Sequence, residues 1–444
     1  MGETVTAPAR RSRIFWQDGS AEAAGPPLTE SVDCDVCIIG GGFTGLWTAY
    51  FLRQTDPSLR ICVLDSGLAG GAASGTADGF VTPTIGKDLE QIVRGHGRQA
   101  AAAACDAVGR SILEIGRFTR RHRVAADYQA KNYLMVATTA VQASRLRRNR
   151  DLTASLGARF ETTLLDAAQA RQRIGSPAIQ AAIVTGGATV DPFALARGLL
   201  ATIRGQGVRV YEQTPARHVD RTADGYRVTT PQARVDAHRV VLATSAFQHR
   251  LPGFRRQVLP VWSYAMVSEP LSTEQLDRLV WPRREGLVEA KSFLVCGRLT
   301  ADNRLLWGGG MARYHLGRDM GAGRVDDRRV FTDLRRSFDR YFPMWHDVRF
   351  SHTYGGCVDI TRDLVPHFGT AAPGLLYGYG YCGNGIAASH LGGKVLCDLV
   401  LGRDTELTRL FFVDGREPAF PPEPLTFLGV RAASRLIEFQ ERLR

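Results

Sequence analysis

The sequence predicts an α/β protein with more than one domain, and three observations support that class. A short apolar strand, a glycine-rich turn, a helical segment and a second strand follow one another between residues 36 and 65. Between about residues 255 and 355, short apolar strands alternate with turns, which is typical of an antiparallel sheet. The chain has 444 residues, too many for a single hydrophobic core. We therefore expect one unit built on parallel strands and a second built on antiparallel strands.

The first elements form a βαβ unit. Residues 1–33 are rich in Gly, Pro and Ala and predict an extended N-terminal arm. A buried strand at 36–39 leads through the glycine turn into a helix over 46–52, which ends at Asp56-Pro57. A second strand at 60–64 stops at Asp65. A strand, a helix and a strand in this order place the two strands parallel and adjacent.

Later elements are predicted from apolar periodicity and from turn residues. Helices are expected at 195–203 and 386–401, and a short helix is expected at the end of the polar tail. Strands are expected at 208–211, 226–229, 239–243, 261–269, 293–296, 304–307, 348–354 and 375–377.

Composition and charge exclude several classes of protein. Hydrophobic residues make up 44% of the chain and charged residues 23%, which excludes a disordered chain. No apolar run approaches the ~20 residues of a membrane helix, and no apolar segment follows Arg10-Arg11, so we expect a cytoplasmic protein. The net charge of +12 is scattered except for the run at 145–150. We interpret that run as a solvated helix face, so nucleic acid is not an expected partner.

The glycine turn carries the motif of a dinucleotide site. Gly40 permits a tight turn, Gly42 lets backbone amides approach a pyrophosphate, and Gly45 lets the helix pack closely on the sheet. The N-terminus of the helix supplies N–H groups and the positive end of its dipole. Asp65, twenty residues beyond Gly45, can accept both hydrogen bonds of a ribose diol. The motif therefore predicts a bound dinucleotide.

The small-residue segment after Asp65 indicates that the dinucleotide is FAD. It contains Ala73-Ser74-Gly75, and the sequence here resembles the FAD-dependent oxidoreductases of the D-amino-acid oxidase and glycine oxidase superfamily, most closely the γ-glutamylputrescine oxidase-like branch. The resemblance implies a Rossmann-like FAD-binding domain of the glutathione-reductase type and a substrate domain on an antiparallel sheet. It implies an FAD domain over 34–85, 165–250 and 355–402, a substrate domain over 86–164 and 251–354, and a C-terminal tail over 403–444.

The resemblance also implies which residues contact FAD. The loop at 380–386 is expected to direct backbone amides at the flavin, where they stabilise negative charge on the reduced ring. Beyond Gly40, Gly42, Gly45 and Asp65, the expected contacts are Phe43, Thr44, Ser66, Ala73, Ser74, Gly75, Thr76, Ala216, Ala243, Thr244, Gly383, Asn384, Gly385 and Ile386.

Candidate substrate residues come from the antiparallel strands and the flavin loop. Trp262 and Tyr264 share one face of a strand and are candidates for an aromatic wall that binds a cationic amine, although an ordinary core strand fits the pattern equally well. Arg298 flanks a later strand and is a candidate to face the substrate. Tyr381 lies between the glycines of the flavin loop and is a candidate to line the pocket.

Departures from the family pattern bear on the substrate. Val358 stands where the small-amino-acid oxidases of this family place an arginine that grips the substrate carboxylate, which weakens the case for an α-amino acid. Asp359 instead suits an amine with a second cationic group. Cys357 is offset by one residue from the position of covalent flavin attachment in sarcosine oxidases, so non-covalent FAD is expected. The oxygen-activating lysine of those enzymes is missing near residues 305–308, so the acceptor is O₂ or another molecule.

The expected activity is FAD-dependent oxidation of a C–N bond of an amine or amino-acid derivative, giving an imine, then an aldehyde, and H₂O₂ when O₂ is the acceptor. Alternatives are a dehydrogenase or desaturase that acts on a larger amine in a biosynthetic pathway, and an RNA-modifying flavin module. No metal site is expected. Cys34 and Cys37 lie on one strand at a spacing that directs their thiols to opposite faces.

Overall fold

The computed structural model describes residues 14–19, 23–86, 89–251, 253–415 and 417–442. Its helices are α1 (Phe43–Thr55), α2 (Leu89–Arg121), α3 (Ala140–Ser155), α4 (Ala167–Arg173), α5 (Pro192–Gly205), α6 (Thr273–Asp277), α7 (Arg328–Tyr341), α8 (Gly385–Val400) and α9 (Leu425–Arg442). Its strands are β1 (Val32–Ile39), β2 (Ile61–Leu64), β3 (Phe80–Val81), β4 (Gln129–Ala137), β5 (Thr162–Leu165), β6 (Ala181–Thr189), β7 (Arg209–Tyr211), β8 (His218–Arg221), β9 (Tyr226–Thr229), β10 (Arg234–Leu242), β11 (Leu259–Ser268), β12 (Gly286–Glu289), β13 (Val295–Leu299), β14 (Leu305–Arg313), β15 (Phe350–Ile360), β16 (His367–Ala372) and β17 (Leu375–Tyr379).

The first sheet has the parallel arrangement that the sequence predicts. Its strand order is β16-β17-β10-β1-β2-β7, with β9 beside the first half of β10 and β8 beside β9. The pairs β1–β2, β1–β10, β10–β17 and β2–β7 are parallel. One face of β1 joins the apolar core that contains α1, α5 and α8, and the other face joins a second core on the opposite side of the sheet. The sheet is therefore covered on both faces, as parallel sheets usually are.

Helix α1 packs unusually close to β1 because Gly45 has no side chain. A Cβ atom at Gly45 would lie 1.9 Å from the carbonyl oxygen of Gly40. This contact fixes α1 directly behind the turn that joins it to β1, so that the turn and the first residues of the helix form one rigid unit.

The second sheet is mostly antiparallel. Its order is β15-β11-β14-β13-β12-β4-β6-β3, with β5 beside β6, and its one parallel pair among the described strands is β12–β4. Helix α7 buries Val330, Phe331, Leu334 and Phe338 against one face of this sheet. The opposite face of the sheet is the one available to the first unit.

Several predicted boundaries change in the structure. The interval 165–250, expected in the FAD domain, contains β6, and the interval 355–402 contains the end of β15, yet both strands pair in the second sheet. Strand β3, expected in the FAD domain within 34–85, also pairs in that sheet. The tail after residue 403 is less polar than expected, because Leu410 and Phe412 are buried in the first core.

The expectation that Cys34 and Cys37 face opposite sides of the sheet is wrong. Both thiols join Cys62 in one buried apolar core. The N–H groups of Asp35 and Val36 both donate to the carbonyl oxygen of Arg60, and this irregularity breaks the alternation of side chains along β1. In the described ranges, no group of three or more His, Cys, Asp or Glu side chains is arranged to hold a metal ion. No helix within those ranges has the length and apolar character needed to cross a membrane.

Candidate cofactor and substrate site

A cavity of about 940 Å³ lies between the two sheets. One end is formed by residues at the carboxyl ends of β1, β2 and β10, and the other by residues of β4, β11, β13 and β15. Its volume is at the upper end of the ~300–1,000 Å³ found for small-molecule and cofactor sites. The carboxyl edge of a parallel sheet is where such sheets bind nucleotides.

The glycine turn forms a narrow cradle at one end of the cavity. Gly40 has a φ of +112°, and a Cβ atom there would lie 2.2 Å from the carbonyl oxygen of Ala243. At Gly42, a Cβ atom would lie 3.0 Å from the Ser74 hydroxyl. The same hydroxyl accepts a hydrogen bond from the Phe43 N–H at 2.9 Å. The glycines therefore bring the backbone against the cavity where side chains would fill it.

Two helix N-termini face the cavity, and neither is capped by a side chain of its N-cap residue. The N-cap residues are Gly42 for α1 and Asn384 for α8. Asn384 instead donates its amide to the Gly86 carbonyl oxygen at 2.8 Å. Because the first N–H groups of a helix have no partner within the helix, such ends favour a bound anion or carbonyl group.

Asp65 sits at the end of β2, where the sequence predicts a ribose contact. Its carboxylate accepts hydrogen bonds from the N–H groups of Gly41 at 2.7 Å and Gly67 at 2.8 Å. Burial raises its pKa, against the opposing effect of these two hydrogen bonds. The carboxylate is thus held in a fixed orientation on the cavity wall.

A buried ion-pair network supports the loop that follows Asp65. Glu212 is fully buried and accepts hydrogen bonds from Arg197 at 2.7 Å, Arg204 at 3.0 Å and the Ala69 N–H at 2.7 Å. Burial raises the pKa of Glu212, but the hydrogen bonds from backbone and arginine outweigh it, so its pKa lies below the usual value. The network fixes the small-residue segment against α5.

The structure brings together most of the residues predicted to contact the cofactor. Gly45 and Gly75 do not line the cavity, and both are packed against backbone instead, Gly75 against the Gly70 carbonyl oxygen. The others do line it: Gly40, Gly42, Phe43, Thr44, Asp65, Ser66, Ala73, Ser74, Thr76, Ala216, Ala243, Thr244, Gly383, Asn384, Gly385 and Ile386.

Asp359 does not offer a free carboxylate to a substrate, contrary to expectation. It is 3% exposed and accepts a hydrogen bond from the Gly380 N–H at 2.7 Å, while its carbonyl oxygen accepts one from the Cys382 N–H at 3.0 Å. Burial raises its pKa to about 6. Asp359 therefore ties the loop at 380–386 to β15 through these two hydrogen bonds.

The expected aromatic wall does not form. The indole N–H of Trp262 donates to the Asp319 carbonyl oxygen at 3.2 Å, and Trp262 does not line the cavity. Tyr264 is among the residues that line the cavity, but its hydroxyl donates to the Arg324 carbonyl oxygen at 3.0 Å and its ring packs edge-on against Phe331 of α7. Both side chains belong to the core on the far face of the second sheet.

Arg298 differs from expectation, whereas Tyr381 lines the cavity as the sequence predicts. Arg298 is 1% exposed, does not line the cavity, donates to the Gly79 carbonyl oxygen at 3.1 Å and lies over the ring of Trp16. Tyr381 does line the cavity, but its hydroxyl is hydrogen-bonded to Thr44 at 2.6 Å. Tyr381 thus joins the loop at 380–386 to the start of α1.

The half of the cavity next to the second sheet is lined by residues that sequence reasoning missed. They include Asp78, Tyr133, Cys296 and Tyr354. Tyr354 belongs to a segment, Tyr354-Gly355-Gly356, that resembles the C-terminal signature of the family, but the strands of Tyr133 and Cys296 carry no motif and are separated from the glycine turn by long stretches of chain. The other sequence signal was the position of Asp78, four residues beyond Ser74.

Comparisons with known proteins agree with this geometry. A family model described as "FAD dependent oxidoreductase" (DAO) matches residues 35–399. The chain belongs to this family of FAD-dependent oxidoreductases. The chain is 29% identical over 384 residues to gamma-glutamylputrescine oxidoreductase of Escherichia coli (strain K12), covering 84% of this chain and 85% of the relative.

Solved structures of two other proteins share the fold of this oxidoreductase. The crystal structure of glycine oxidase from Geobacillus kaustophilus superposes with a TM-score of 0.70 at 21% identity, covering 84% of this chain and 96% of that one. The crystal structure of L-proline dehydrogenase from P. horikoshii superposes with a TM-score of 0.71 at 15% identity, covering 86% and 96%. The fold class expected from the sequence is confirmed.

The residues present fit the FAD on which this oxidoreductase family depends. The cradle at Gly40 and Gly42 has no room for side chains, and the start of α1, which its own N-cap residue does not cap, faces the same space. The uncapped start of α8 faces the cavity as well. These backbone groups can hold a diphosphate and an electron-rich ring without any charged side chain.

Proposed function

We propose that this FAD-dependent oxidoreductase oxidises the C–N bond of a primary or secondary amine that carries no α-carboxylate next to that bond. The observation that carries the proposal is the distribution of charge along the cavity wall. The cationic side chains among the described lining residues are Arg217, His218 and Arg250, and all three are exposed to solvent. A carboxylate held deep in the cavity would have no cation to pair with.

The acidic lining residues are distributed differently. Asp65, Asp78 and Asp359 lie in the interior of the cavity wall, and the remaining acidic residue of the described lining, Asp220, is exposed at its rim. The remainder of the inner wall is largely apolar or aromatic, with Tyr133 and Phe293 among its members. This surface favours an amine over an amino acid, because it offers negative charge and apolar contact and withholds positive charge.

The reaction balances as a two-electron oxidation followed by hydrolysis. FAD, when bound, supplies the oxidant by accepting a hydride from the carbon next to nitrogen. The substrate loses that hydride and one proton to become an imine, and water then cleaves the imine to an aldehyde together with ammonia from a primary amine or an amine from a secondary one. The residues of this chain hold the amine against the apolar wall, and the backbone N–H groups at the start of α8 stabilise negative charge.

The comparison with gamma-glutamylputrescine oxidoreductase supports an amine substrate. The likeness to glycine oxidase concerns the fold, and the lack of a buried cation in the described cavity lining argues against a free amino acid here. A cytoplasmic location and non-covalent attachment of FAD remain parts of the proposal. The pKa of the half-buried Cys357 thiol is raised, mainly by loss of hydration, which supports a cysteine that stays protonated and unattached.

The test is anaerobic reduction of the purified holoenzyme by a panel of substrates. Mono- and diamines and their N-acyl derivatives should bleach the visible absorption of the flavin and yield aldehyde, whereas glycine and sarcosine should bleach it far more slowly. Faster bleaching by glycine or sarcosine than by every amine would contradict the proposal. Release of the flavin on denaturation in acid would confirm non-covalent binding.

The electron acceptor is tested separately. Aerobic turnover that forms H₂O₂ in equal amount to aldehyde would identify an oxidase, and turnover that requires an added dye would identify a dehydrogenase.

The arginine run at 145–150 lies on α3, where Arg147 and Arg148 are exposed. This placement agrees with a solvated helix face and gives the RNA-modifying alternative no support.

A further inference from the structure

The carboxylate of Asp78 faces the cavity without a cationic partner. Asp78 lies between the segment that ends at Thr76 and strand β3, and it is half-buried because the cavity reaches it. The Cys296 thiol donates to its Oδ2 atom at 3.1 Å. Across the described part of the chain, this weak donor is the one hydrogen-bond partner of the carboxylate, and no ion pair reaches it.

The second sheet is shaped to leave room for this carboxylate. Tyr354, Ala265, Gly308 and Cys296 are cross-strand neighbours on β15, β11, β14 and β13, so they form one row across the sheet. Asp78 lies over the glycine of that row, since a Cβ atom at Gly308 would be 2.8 Å from Asp78 Oδ2. The two small residues at the centre of the row create the space that the carboxylate occupies.

The charged and titratable groups around Asp78 do not neutralise it. On β13, the Cys296 thiol has a pKa raised by burial and by Asp78 itself, so it remains a neutral donor. Arg298, also on β13, lowers the pKa of Asp78 from a distance, but its guanidinium donates to the Gly79 carbonyl oxygen, and its charge interacts with Asp127 and Asp191 as well as with Asp78.

Tyr354 on β15 completes the surroundings of Asp78. Burial, followed by the charge of Asp78, raises the pKa of this phenol well above its usual value, so it stays neutral. The net effect of all neighbours is that burial dominates and raises the pKa of Asp78 to about 6.

Asp78 differs in this respect from the other acids of the cavity interior. Asp65 accepts two backbone N–H groups, and Asp359 is tied to the Gly380 N–H. Asp78 retains free acceptor positions on a carboxylate that has lost part of its hydration. A buried carboxylate without a counterion is unfavourable unless a cation completes it.

We propose that Asp78 binds the ammonium group of the amine substrate and thereby selects amines over carboxylates. This inference rests on the proposed function and names the residue that sets its substrate class. The bound group is a primary or secondary ammonium, whose N–H donors match the free acceptor positions of the carboxylate. The same carboxylate can take the ammonium proton, which leaves the neutral amine and a protonated Asp78.

The pH dependence follows from the direction of the pKa shift. Asp78 is negatively charged above about pH 6 and neutral below it, so ammonium binding should be strong at pH 7–8 and weaken as the pH falls through about 6. Aliphatic amines remain protonated throughout this range, because their pKa values lie near 10. The titration therefore reports the enzyme and not the ligand.

The experiment measures binding of a matched pair of unreactive probes to the holoenzyme. tert-Butylamine has no hydrogen on the carbon next to nitrogen and cannot be oxidised, and pivalate presents a carboxylate on the same tert-butyl group. Binding is followed by the change in the absorption spectrum of oxidised bound FAD and by calorimetry. The variants are Asp78→Asn, Asp78→Glu and Gly308→Ala, with the exposed Asp224→Asn as control.

We expect wild type to bind tert-butylammonium and to bind pivalate more weakly. Asp78→Asn should weaken ammonium binding on the order of 10- to 100-fold and abolish its pH dependence near 6. Asp78→Glu should restore part of the affinity, and Gly308→Ala should lower it by displacing the carboxylate without removing its charge. Asp224→Asn should bind as wild type does.

Some results would overturn the inference. It fails if pivalate binds wild type at least as tightly as tert-butylammonium does, or if Asp78→Asn changes ammonium affinity by less than twofold. If Asp78→Asn does not fold or take up FAD, the test rests on Gly308→Ala and on the wild-type pH profile. An ammonium affinity that is unchanged in Gly308→Ala, or that does not weaken in wild type as the pH falls through about 6, would overturn the inference. Reduction of the flavin by amines with an unchanged KM in Asp78→Asn would refute the role of Asp78 and leave the proposed function intact. A holoenzyme that no amine reduces would refute the proposed function itself.

Discussion

Substitution of Gly42, at the end of the turn between β1 and α1, and of Gly45, in the first turn of α1, should separate cofactor binding from folding. A methyl group at Gly45 would lie 1.9 Å from the carbonyl oxygen of Gly40. No side-chain rotation relieves this contact, because the backbone fixes the position of the methyl carbon and the oxygen is itself a backbone atom. At Gly42, the nearest atom to a new methyl is the Ser74 hydroxyl at 3.0 Å, which can move. Gly42 also has extended backbone angles that alanine adopts freely.

The magnitudes follow from these contacts. Relief of the Gly45 contact requires α1 to move by more than 1 Å from β1, and forced overpacking of this kind costs about 1–3 kcal/mol. Alanine is favoured over glycine in a helix by about 1 kcal/mol, which offsets part of that cost. We therefore expect Gly45→Ala to lower the free energy of unfolding of the apoprotein by about 0–2 kcal/mol. Gly42→Ala should change it by less than about 0.5 kcal/mol.

The effect on FAD affinity should be the reverse of the effect on stability. The methyl group at Gly42 enters the cradle itself and should raise the dissociation constant of FAD on the order of 10- to 100-fold, the loss expected when hydrogen bonds to a charged group are broken. Urea unfolding of the apoproteins gives the stabilities, and quenching of FAD fluorescence on titration gives the affinities. Gly95→Ala, in helix α2 with no atom within 4 Å of the new methyl, serves as the control and should leave both properties close to wild type or slightly increase stability.

The assignment of the cradle would be refuted if Gly42→Ala bound FAD within twofold of wild type. The packing argument would be refuted if the Gly45→Ala apoprotein were as stable as the Gly95→Ala control. Equal losses of stability in Gly42→Ala and Gly45→Ala would show that the two glycines do not have the separate roles assigned to them.

Three further substitutions test the site. Glu212→Gln should lower the free energy of unfolding by about 3–5 kcal/mol, because it removes the charge that pairs with the buried Arg197 guanidinium. Since folding lowers the pKa of Glu212, its stabilisation is complete above the usual Glu range and is lost as the pH falls, and urea unfolding at several pH values measures both effects. Tyr381→Phe removes one hydrogen bond to Thr44, so thermal unfolding should show a loss of about 1 kcal/mol and FAD affinity should fall a few-fold. Trp262→Phe should leave the KM for amines within twofold of wild type, because the indole does not line the cavity. A large rise in KM would instead support the hypothesis that Trp262 is part of an aromatic wall that binds the amine.

The parallel sheet and the cofactor cradle could be predicted because their signals are local. The turn at Gly40–Gly45 and the acid at Asp65 lie within about one supersecondary unit, and hydrophobic periodicity together with glycine spacing specifies such a unit without any distant contact. Gly45 lets α1 pack closely on the sheet, as the motif predicts, but neither Gly45 nor Gly75 lines the cavity, because both pack tightly against backbone and such packing is a matter of three-dimensional distance.

The substrate half of the cavity was decided by the tertiary structure. Alternation along β11 identifies two faces, but nearly every residue of this strand is buried, so the sequence does not say which face meets the cavity. Packing of α7 assigns the face of Trp262 and Tyr264 to the core.

The same holds for the acids. The carboxylate of Asp359 has the charge expected of an anchor for a cationic substrate, but it accepts a hydrogen bond from the Gly380 N–H. Asp78 lies in a stretch of small residues that carries no motif of its own, and its partner Cys296 is 218 residues further along the chain. The sequence determines which strands and turns form, because those depend on neighbouring residues. The burial and pairing of a carboxylate depend on which distant strands fold over it, and only the tertiary structure brings those strands together.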